Sequence, residues 1–512
     1  MNGAEALVRT LADCGVTACF ANPGTSEMHL VTALDREPRI RSVLCLFEGC
    51  ATGAADGYAR IAGKPAMTLL HLGPGYLNGG ANLHNGKRAW SPIVNVVGDH
   101  ATYHRHLDAP LTSDIEALVR PLAVHVDVVN NPGEAGPKAA QAYRASFGAP
   151  GGNAFVILPA DSAWTEGAVM GAKSNEPELS TASEGRVKEI AAQIRAAKKP
   201  ALLIGGDSMM PEGLEAASRL AATGILIQAE TFAARTARGA GLYSPPKLPY
   251  FAEQAVDVLA GVDLLVVSGT KHPVAFFAYP GRPSELTPPN AERATLWAVE
   301  KGAGAALRLL ADELGAPPGA AIPAPAKLDA PKEKLNAWKC GQSLARHMPE
   351  GAIICDDGVT SGGAIAQATE GVARHDWLAL TGGAIGMGLP LAVGAAVAAP
   401  DRKVIALSGD GAGMYTNQAL WTMAREKLDV LSIVFANKSY RILNIEMTRT
   451  GAGNPGPVAQ SMLSLDNPAV DWVKLAEAQG VPAVRCETGE EFEAQLPRLL
   501  AQKGPKLIEA VV

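Results

Sequence analysis

Short apolar runs alternate with helix-length amphipathic stretches along almost the whole chain, and no other sequence feature constrains the fold as strongly. Parallel strands need a crossover connection, which is usually a helix, so this alternation is typical of parallel α/β units. The apolar runs predict strands in three groups of four: 42–47, 66–72, 92–99 and 154–159, then 201–207, 225–230, 264–270 and 295–300, then 352–358, 404–411, 431–439 and 506–512.

The length of the chain, 512 residues, is too great for one ordinary hydrophobic core and suggests about three domains. Two stretches have the composition of linkers: residues 173–184 are polar and turn-rich, and residues 315–334 are rich in Pro and Ala. We therefore expect an α/β protein with three doubly wound parallel-sheet domains. Their predicted limits are 1–172, 185–314 and 335–512.

Charge, cysteine content and hydropathy exclude several classes of protein. A formal net charge of −6 leaves no basic footprint for nucleic acid or an anionic membrane. The seven cysteines form no C-x-x-C pair, which predicts reduced thiols and a cytoplasmic protein. The uncharged stretch 377–400 is long enough to span a bilayer, but its five glycines and Pro390 predict a strand, a glycine loop and a buried helix instead.

Polar residues follow two predicted strands near the C-terminus. Asp410 stands between Gly409 and Gly411, and Asn437 follows the next apolar run 27 positions later. Because neighbouring parallel strands end at the same sheet edge, the two side chains are expected to lie close together. Carboxylate and amide oxygens suit Mg²⁺ or Ca²⁺, and the glycines leave room for a diphosphate. The alternative, a plain turn and a strand cap, stays open on spacing alone.

The Gly-Asp-Gly motif followed at this distance by an asparagine resembles the cofactor motif of thiamine diphosphate (ThDP)-dependent enzymes. The family usually has two asparagines, whereas this chain has Ala436-Asn437 and so retains the one that binds the metal. The resemblance implies that the backbone carbonyl of Ser439 is a further metal ligand. FEGCATGAADGYARIAGKP (47–65) matches the family segment whose glutamate, here Glu48, hydrogen-bonds the cofactor pyrimidine.

Further site residues are implied by the same resemblance. The carbonyl of Gly383 is expected to bind the 4′-amino group, and Ile385 to wedge between the two cofactor rings. Thr25 is expected on the substrate side, and His71 matches the catalytic histidine loop of benzoylformate decarboxylase. The matches span the chain and resemble most closely the benzoylformate decarboxylase and acetolactate synthase large subunit type.

The family chemistry implies a ThDP- and Mg²⁺-dependent 2-oxo acid decarboxylase or carboligase, acting through a C2 ylid and an enamine. Protonation of the enamine releases an aldehyde, whereas addition to a second carbonyl forms a carbon–carbon bond. His71 favours proton transfer, because imidazole titrates near neutral pH. An acetolactate synthase-like enzyme joining two pyruvates is the alternative, although the chain lacks the Gln-Trp-Gln-like segment of many synthases.

The substrate side of the site is less defined by the sequence. Phe276 and Phe277 stand near the position of a second catalytic histidine in benzoylformate decarboxylase. Leu443 and Glu446 lie on the stretch that lines the substrate pocket in relatives. Whether Glu446 faces the substrate or is an exposed helix residue stays open.

The resemblance also implies a homodimer or homotetramer, because the pyrimidine-binding domain of one subunit meets the diphosphate-binding domain of another. No obligatory FAD is expected.

Two groups of polar residues are interpreted as solvated: Arg235 and Arg238, and the histidines of the 98–110 loop. Two alternatives of another class are a dinucleotide-dependent oxidoreductase and a non-catalytic ThDP-binding protein. The predicted loop histidines are His100, His104 and His106.

Overall fold

The first third of the chain folds around a six-stranded sheet. The computed structural model describes residues 1–174, 180–320 and 328–512. The strands of this sheet are β1 (Ala18–Asn22), β2 (Arg41–Leu44), β3 (Ala66–Leu70), β4 (Ile93–Asp99), β5 (His125–Val128) and β6 (Asn153–Pro159). All neighbours pair in parallel in the order β2-β1-β3-β4-β6-β5. The helices around it are α1 (Gly3–Cys14), α2 (Met28–Asp35), α3 (Glu48–Ala62), α4 (Leu72–Arg88), α5 (Ile115–Val119), α6 (Ala135–Phe147) and α7 (Ala160–Trp164).

The central part of the chain forms a four-stranded parallel sheet, and one further short strand of this part pairs with the C-terminal sheet. Its strands are β7 (Pro200–Ile204), β8 (Leu226–Ala229), β9 (Thr236–Arg238), β10 (Leu264–Ser268) and β11 (Glu292–Trp297). The central sheet has the order β11-β10-β7-β8, so β9 is not part of it. The helices of this part are α8 (Glu184–Ala196), α9 (Pro211–Ala222), α10 (Ala252–Val258) and α11 (Ala303–Glu313).

The C-terminal part forms a seven-stranded sheet that includes β9. Its own strands are β12 (Ala352–Asp357), β13 (His375–Ala379), β14 (Val404–Gly409), β15 (Val430–Ala436), β16 (Ala483–Cys486) and β17 (Lys506–Val511). The order is β16-β17-β15-β14-β12-β13-β9, parallel except for the antiparallel edge strand β9. The helices are α12 (Ala337–His347), α13 (Gly362–Ala368), α14 (Gly388–Ala398), α15 (Asp410–Met414), α16 (Ala419–Arg425), α17 (Arg441–Arg449), α18 (Pro457–Leu463), α19 (Trp472–Ala478) and α20 (Gly489–Ala501).

Helices α3 and α14 join the first and third parts of the molecule at close range. A Cβ on Gly394 would lie 1.8 Å from the carbonyl oxygen of Ala54, and one on Gly57 would lie 2.0 Å from that of Leu391. The two backbones therefore touch, which glycine alone permits. Helix α14 is apolar on all sides because α3 covers it on one side and strands of the third sheet on the other. Within the described residues, no helix combines the length and apolar character that crossing a membrane requires.

The structure confirms the predicted fold class of three parallel-sheet α/β domains. Each predicted strand overlaps an observed one, and the stretch 377–400 forms a strand end, a loop and a buried helix as predicted. Strands β5, β9 and β16 were not predicted, because they have only three or four residues and are partly exposed. Strand β1, with five residues, was also missing from the predicted set although it is almost fully buried. The predicted domain limits stay a prediction, since residues 175–179 and 321–327 of the two linkers lie outside the described residues.

Candidate active site

Asp410 and Asn437 meet at the carboxyl edge of the third sheet. Strands β14 and β15 are parallel neighbours, so the chain leaves both at the same edge, as the sequence predicts. Asp410 is buried, and its Oδ2 accepts a hydrogen bond of 2.6 Å from the backbone N–H of Lys438, directly after Asn437. Its Oδ1 accepts one of 2.9 Å from Gly411 N–H. Burial raises the pKa of Asp410, and no ion pair offsets its charge within the described residues.

The turn after β15 fixes the position of the Asn437 side chain and of the backbone that follows it. Lys438 has a φ of +54°, in the left-handed region, and Asn437 Oδ1 accepts a hydrogen bond of 2.9 Å from Ser439 N–H. The described residues contain no group of three or more His, Cys, Asp or Glu side chains that could hold a metal ion. A hard cation beside Asp410 would therefore take its other oxygens from Asn437, the backbone and a ligand. A buried, unpaired carboxylate with neighbouring amide and carbonyl oxygens fits Mg²⁺ and a diphosphate.

The two glycines of the motif have different surroundings. A Cβ on Gly409 would meet only the Cβ of Ala412, at 3.9 Å, so space is open there. A Cβ on Gly411 would lie 2.5 Å from Cε1 of Tyr440. The predicted reason for Gly411, room for a diphosphate, is therefore corrected, because the Tyr440 ring fills that space.

Glu48 is placed by the β2–α3 connection in the first part of the molecule. It is the first residue of α3 and is buried, with 6% exposure. Asn78 Nδ2 donates a hydrogen bond of 2.9 Å to its Oε2. No other hydrogen-bond partner of the carboxylate lies within the described residues. Glu48 is thus a buried acid with one oxygen free for a ligand.

His71 directly follows β3, which is separated from β2 by β1, and it is paired with an acid that sequence reasoning missed. His71 Nδ1 lies 2.8 Å from Oε2 of Glu27, whose side chain is completely buried. Gly24 N–H donates a hydrogen bond of 2.7 Å to the same oxygen. Burial raises the pKa of Glu27, while the adjacent His71 works in the opposite direction. Its other oxygen, Oε1, is buried without a hydrogen-bond partner in the described residues.

The first sheet brings these residues to one edge. Thr25, Glu48 and His71 follow β1, β2 and β3, which are adjacent parallel strands. Thr25 is exposed. A Cβ on Gly75 would lie 3.2 Å from Glu48 Oε1 and 3.3 Å from the Cβ of His71, so both residues flank Gly75. The predicted catalytic residues are therefore collected by the order of the strands.

The loop before α14 carries Gly383 and Ile385 and is anchored by a buried aspartate. Asp357 Oδ2 accepts hydrogen bonds of 2.8 Å from Gly386 N–H and 3.2 Å from Gly388 N–H. Burial raises the pKa of Asp357 to about 7. Gly383 is exposed with a φ of +75°, and Ile385 is half-buried. Asp357 was not predicted as a site residue, although its place at the end of β12 is a signal for it.

An aromatic group covers this loop from the central part of the chain. A Cβ on Gly383 would lie 2.7 Å from Cζ of Phe276, and the Phe276 ring is 5.0 Å from Phe277 and 5.3 Å from Tyr250 between centroids. Beyond it, Tyr279 donates a hydrogen bond of 2.7 Å to Glu446. Phe276 therefore lies against the predicted cofactor loop, and Phe277 packs on Phe276.

Glu446 is not an ordinary exposed helix residue. Its Oε2 accepts the Tyr279 hydroxyl, and its Oε1 is buried without a partner in the described residues. Burial raises the pKa of Tyr250, and the nearby Glu446 raises it further. Leu443, one turn earlier on α17, is 45% exposed. Of the two interpretations that the sequence left open, the structure thus disfavours the simple exposed one.

The interpretation of Arg235 and Arg238 as solvated is wrong. Arg235 forms an ion pair of 2.9 Å with the buried Asp376, and Arg238 stacks on the Trp377 ring at 4.9 Å. The physical reason is that β9 pairs with β13, which places Arg238 in the third sheet and Arg235 directly before it.

The prediction that His100, His104 and His106 are exposed to solvent agrees with the structure for only one of them. His106 is exposed, whereas His100 and His104 are half-buried with their rings 5.4 Å apart.

A single chain presents the site in two groups. Within the described residues, no hydrogen bond or ion pair joins the group around Glu48 and His71 to the group around Asp410 and Asn437. Helix α3 instead packs along α14.

The three sheets, a buried acid on the first and an oxygen-rich edge on the third define a ThDP-dependent enzyme. Two family models match: "Thiamine pyrophosphate enzyme, N-terminal TPP binding domain" at residues 1–118 and "Thiamine pyrophosphate enzyme, C-terminal TPP binding domain" at residues 360–510. The chain is also 49% identical over its full length to IlvX of Mycobacterium tuberculosis, of which it covers 99%. It belongs to the thiamine pyrophosphate enzyme family.

The relatives include both decarboxylases and synthases. The name of IlvX marks it provisionally as an acetolactate synthase large subunit. Benzoylformate decarboxylase of Pseudomonas aeruginosa is 28% identical over 97% of this chain and 96% of its own length. A ThDP-dependent 4-hydroxybenzoylformate decarboxylase of Rhodococcus jostii has the same fold, with a TM-score of 0.85 at 24% identity over 100% of this chain and 99% of that one. Membership of this family of enzymes gives no support to the dinucleotide alternative.

Proposed function

We propose that this enzyme is a ThDP- and Mg²⁺-dependent 2-oxo acid decarboxylase that also has the chemistry for carboligation. The observation that carries the proposal is the group at the edge of the first sheet. There the buried Glu48 and His71, which is paired with Glu27, flank Gly75, and Thr25 follows β1 at the same edge. An acid for the cofactor and a proton donor for the substrate thus stand at the same edge of the first sheet.

The residues that would hold the cofactor lie at the third sheet. Asp410, Asn437 and the Ser439 carbonyl would bind Mg²⁺, or Ca²⁺ in its place, together with the diphosphate. The Gly383 carbonyl and Ile385 would hold the two rings. When bound, ThDP supplies a nucleophilic carbon that adds to a 2-oxo acid and accepts the electrons released with CO₂.

The residues of the first sheet would handle protons. The free oxygen of Glu48 would hydrogen-bond the pyrimidine ring of the cofactor, and Asn78 fixes the other oxygen. Because Glu27 engages Nδ1 of His71, Nε2 is the ring nitrogen left to hold a proton for the product. The imidazole is partly accessible, with 22% side-chain exposure, so a substrate can reach it. These roles favour release of an aldehyde.

A synthase-like reaction that joins two pyruvates is the second candidate function. The observation in its favour is the 49% identity with IlvX, whose name points to acetolactate synthases. Both reactions begin with decarboxylation of a 2-oxo acid and differ in the fate of the remaining fragment. The wall formed by Phe276, Phe277, Leu443 and Glu446 would then decide whether a second carbonyl compound fits beside the first.

The separation of the site into two groups supports a homodimer, alone or within a homotetramer. Glu48 of one subunit would complete the site around Asp410 of another, as two-fold symmetry allows. The predicted absence of an obligatory flavin, the cytoplasmic location and the domain limits 1–172, 185–314 and 335–512 remain parts of the proposal.

The test is a panel of aryl and aliphatic 2-oxo acids, scored for CO₂, aldehyde and carboligation products. We expect CO₂ release that requires ThDP and Mg²⁺. Aldehyde as the main product would support the decarboxylase, and acetolactate from pyruvate would support the second candidate. Absence of CO₂ from every 2-oxo acid, with ThDP bound, would overturn both.

A further inference from the structure

A second cavity lies apart from the candidate active site, between the central and C-terminal parts of the chain. Its volume is about 290 Å³. One wall is the segment from β9 to Lys247, and the other is the end of α13 with the turn that follows it. None of the residues proposed for cofactor or substrate binding lines this cavity. The site therefore needs an explanation of its own.

Arg238 brings a buried cation to the wall of this cavity. Strand β9 holds it at the edge of the third sheet, where its guanidinium stacks on Trp377 at 4.9 Å. Nη2 donates a hydrogen bond of 2.5 Å to the Ala366 carbonyl, and the buried Nε has no acceptor in the described residues. No carboxylate forms an ion pair with it within the same residues. Burial lowers the pKa of Arg238 to about 10.

Lys247 is the second cation of the cavity. It is exposed to the cavity, and neither an ion pair nor a hydrogen bond of its ammonium group occurs within the described residues. Desolvation by the surrounding protein, followed by the charge of Arg238, lowers the pKa of Lys247 to about 8. The Lys247 ammonium is exposed and free to contact a ligand in the cavity.

Two carboxylates act on these cations without forming an ion pair with either of them in the described residues: Asp356 raises the pKa of both, and Glu370 raises that of Arg238. Asp356 lies on β12 and is half-buried, with a pKa raised by desolvation, and its Oδ1 accepts a hydrogen bond of 3.0 Å from Gly358 N–H. Glu370 accepts a hydrogen bond of 2.7 Å from the Ser244 hydroxyl. His375 has its pKa lowered to about 4, mainly by burial, so it is neutral at pH 7. Desolvation is the largest cause of the lowered pKa of Lys247, and Asp356 offsets part of it.

We propose that this cavity binds a small anion, a carboxylate or a phosphate, between Lys247 and Arg238. An anion with two or more oxygens can accept hydrogen bonds from both cations at once, and it removes their mutual repulsion. The Tyr243 hydroxyl and the Gln367 amide line the same cavity and can satisfy further oxygens. The volume of about 290 Å³ admits inorganic phosphate or a short dicarboxylate.

The site has a direct structural connection to the proposed cofactor loop. Asp356, which raises the pKa of both cations, is followed on β12 by Asp357, which accepts hydrogen bonds from Gly386 and Gly388. The anion would therefore lie close to the strand that anchors the loop of Gly383. Binding itself, however, requires only the cavity and its two cations, so the inference stands whether or not the proposed reaction does.

The test measures anion binding to the ThDP-loaded enzyme by calorimetry at constant ionic strength, with inorganic phosphate and malonate as separate probes. We expect saturable binding of at least one of them. Lys247→Met should weaken it by roughly tenfold to a hundredfold, because one charge-assisted hydrogen bond is lost. Lys188→Met, which changes an exposed lysine paired with Glu184, is the control and should bind normally.

The pattern of binding identifies the anion. Phosphate alone indicates a phosphate-bearing ligand, malonate alone indicates a carboxylate, and equal binding of both indicates recognition of charge. Malonate affinity should fall as the pH rises through about 8, where Lys247 loses its proton.

A chemical probe then locates the bound anion within the structure. We expect it to slow reductive methylation of Lys247, measured by mass spectrometry, and to leave Lys188 unaffected. Removing the Lys247 charge relieves repulsion, so the thermal midpoint of Lys247→Met without anion should not fall. Binding of neither probe, or unchanged binding by a folded Lys247→Met variant, would overturn the proposal.

Discussion

Replacing Glu27 with Gln isolates the role of the buried acid that holds His71. The variant keeps the size of the side chain and an oxygen for Gly24 N–H, but it removes the charge 2.8 Å from His71 Nδ1. A hydrogen bond to a charged group contributes about 1.5–3 kcal/mol. If Glu27 stabilises protonated His71 when the proton is transferred, kcat should fall by roughly tenfold to a hundredfold, since 1.4 kcal/mol corresponds to a factor of ten.

The same variant should lower kcat without lowering the free energy of unfolding at high pH. Burial raises the pKa of Glu27, so the folded protein binds a proton more readily than the unfolded chain does. Stability then falls as the pH rises from the unfolded pKa through the folded one. Glu27→Gln removes this loss, and above that window we expect a free energy of unfolding at least equal to that of the unchanged enzyme. Urea unfolding at pH 5 and pH 8 measures the difference.

Steady-state kinetics across pH, combined with product analysis, completes the assay for Glu27. Because the change concerns proton delivery, kcat and the pH profile should change while ThDP affinity stays the same. Glu37→Gln is the matched control: Glu37 is also buried, but it pairs with Arg39 and should affect stability without changing kcat. An unchanged kcat and pH profile in Glu27→Gln would refute the reasoning.

Three further changes test other parts of the account. Asp410→Asn should weaken binding of ThDP with Mg²⁺ by at least about tenfold in calorimetric titration, because a charged metal ligand is lost; equal affinity would remove Asp410 from the site. Gly394→Ala should lower the thermal midpoint, because its Cβ would lie 1.8 Å from the Ala54 carbonyl oxygen; an unchanged midpoint would contradict that contact. Glu446→Leu removes the acceptor of the Tyr279 hydroxyl and should change the ranking of 2-oxo acids by kcat/KM while ThDP affinity is kept; an unchanged ranking would place Glu446 outside the substrate pocket.

Much of the architecture follows from short-range sequence signals. Buried parallel strands appear as continuous apolar runs, so both β14 and β15 could be predicted from composition. The adjacency of Asp410 and Asn437 then follows from the rule that parallel neighbours end at one edge. The glycines of α14 and its uniform apolar character likewise predict a helix buried on all sides.

The residues that escaped prediction depend on contacts that sequence spacing does not show. Glu27 lies 44 positions from His71, and only the fold reveals that they share a buried hydrogen bond. Strand β9 has three residues and pairs with a sheet formed mostly by a different part of the chain. For that reason Arg238 looked like a loop residue in the sequence, whereas it is a buried cation in the structure.

The central claim is that each active site combines the Glu48 group of one subunit with the Asp410 group of another. The most direct measurement mixes two inactive variants, Glu48→Gln and Asp410→Asn, after dissociation and reassociation, and follows CO₂ release from a 2-oxo acid. Half of the randomly formed dimers would be mixed, each with one intact site, so the account predicts about a quarter of the unchanged enzyme's activity. If the mixture stays as inactive as either variant while mixed dimers are shown to form, the two groups do not meet across subunits.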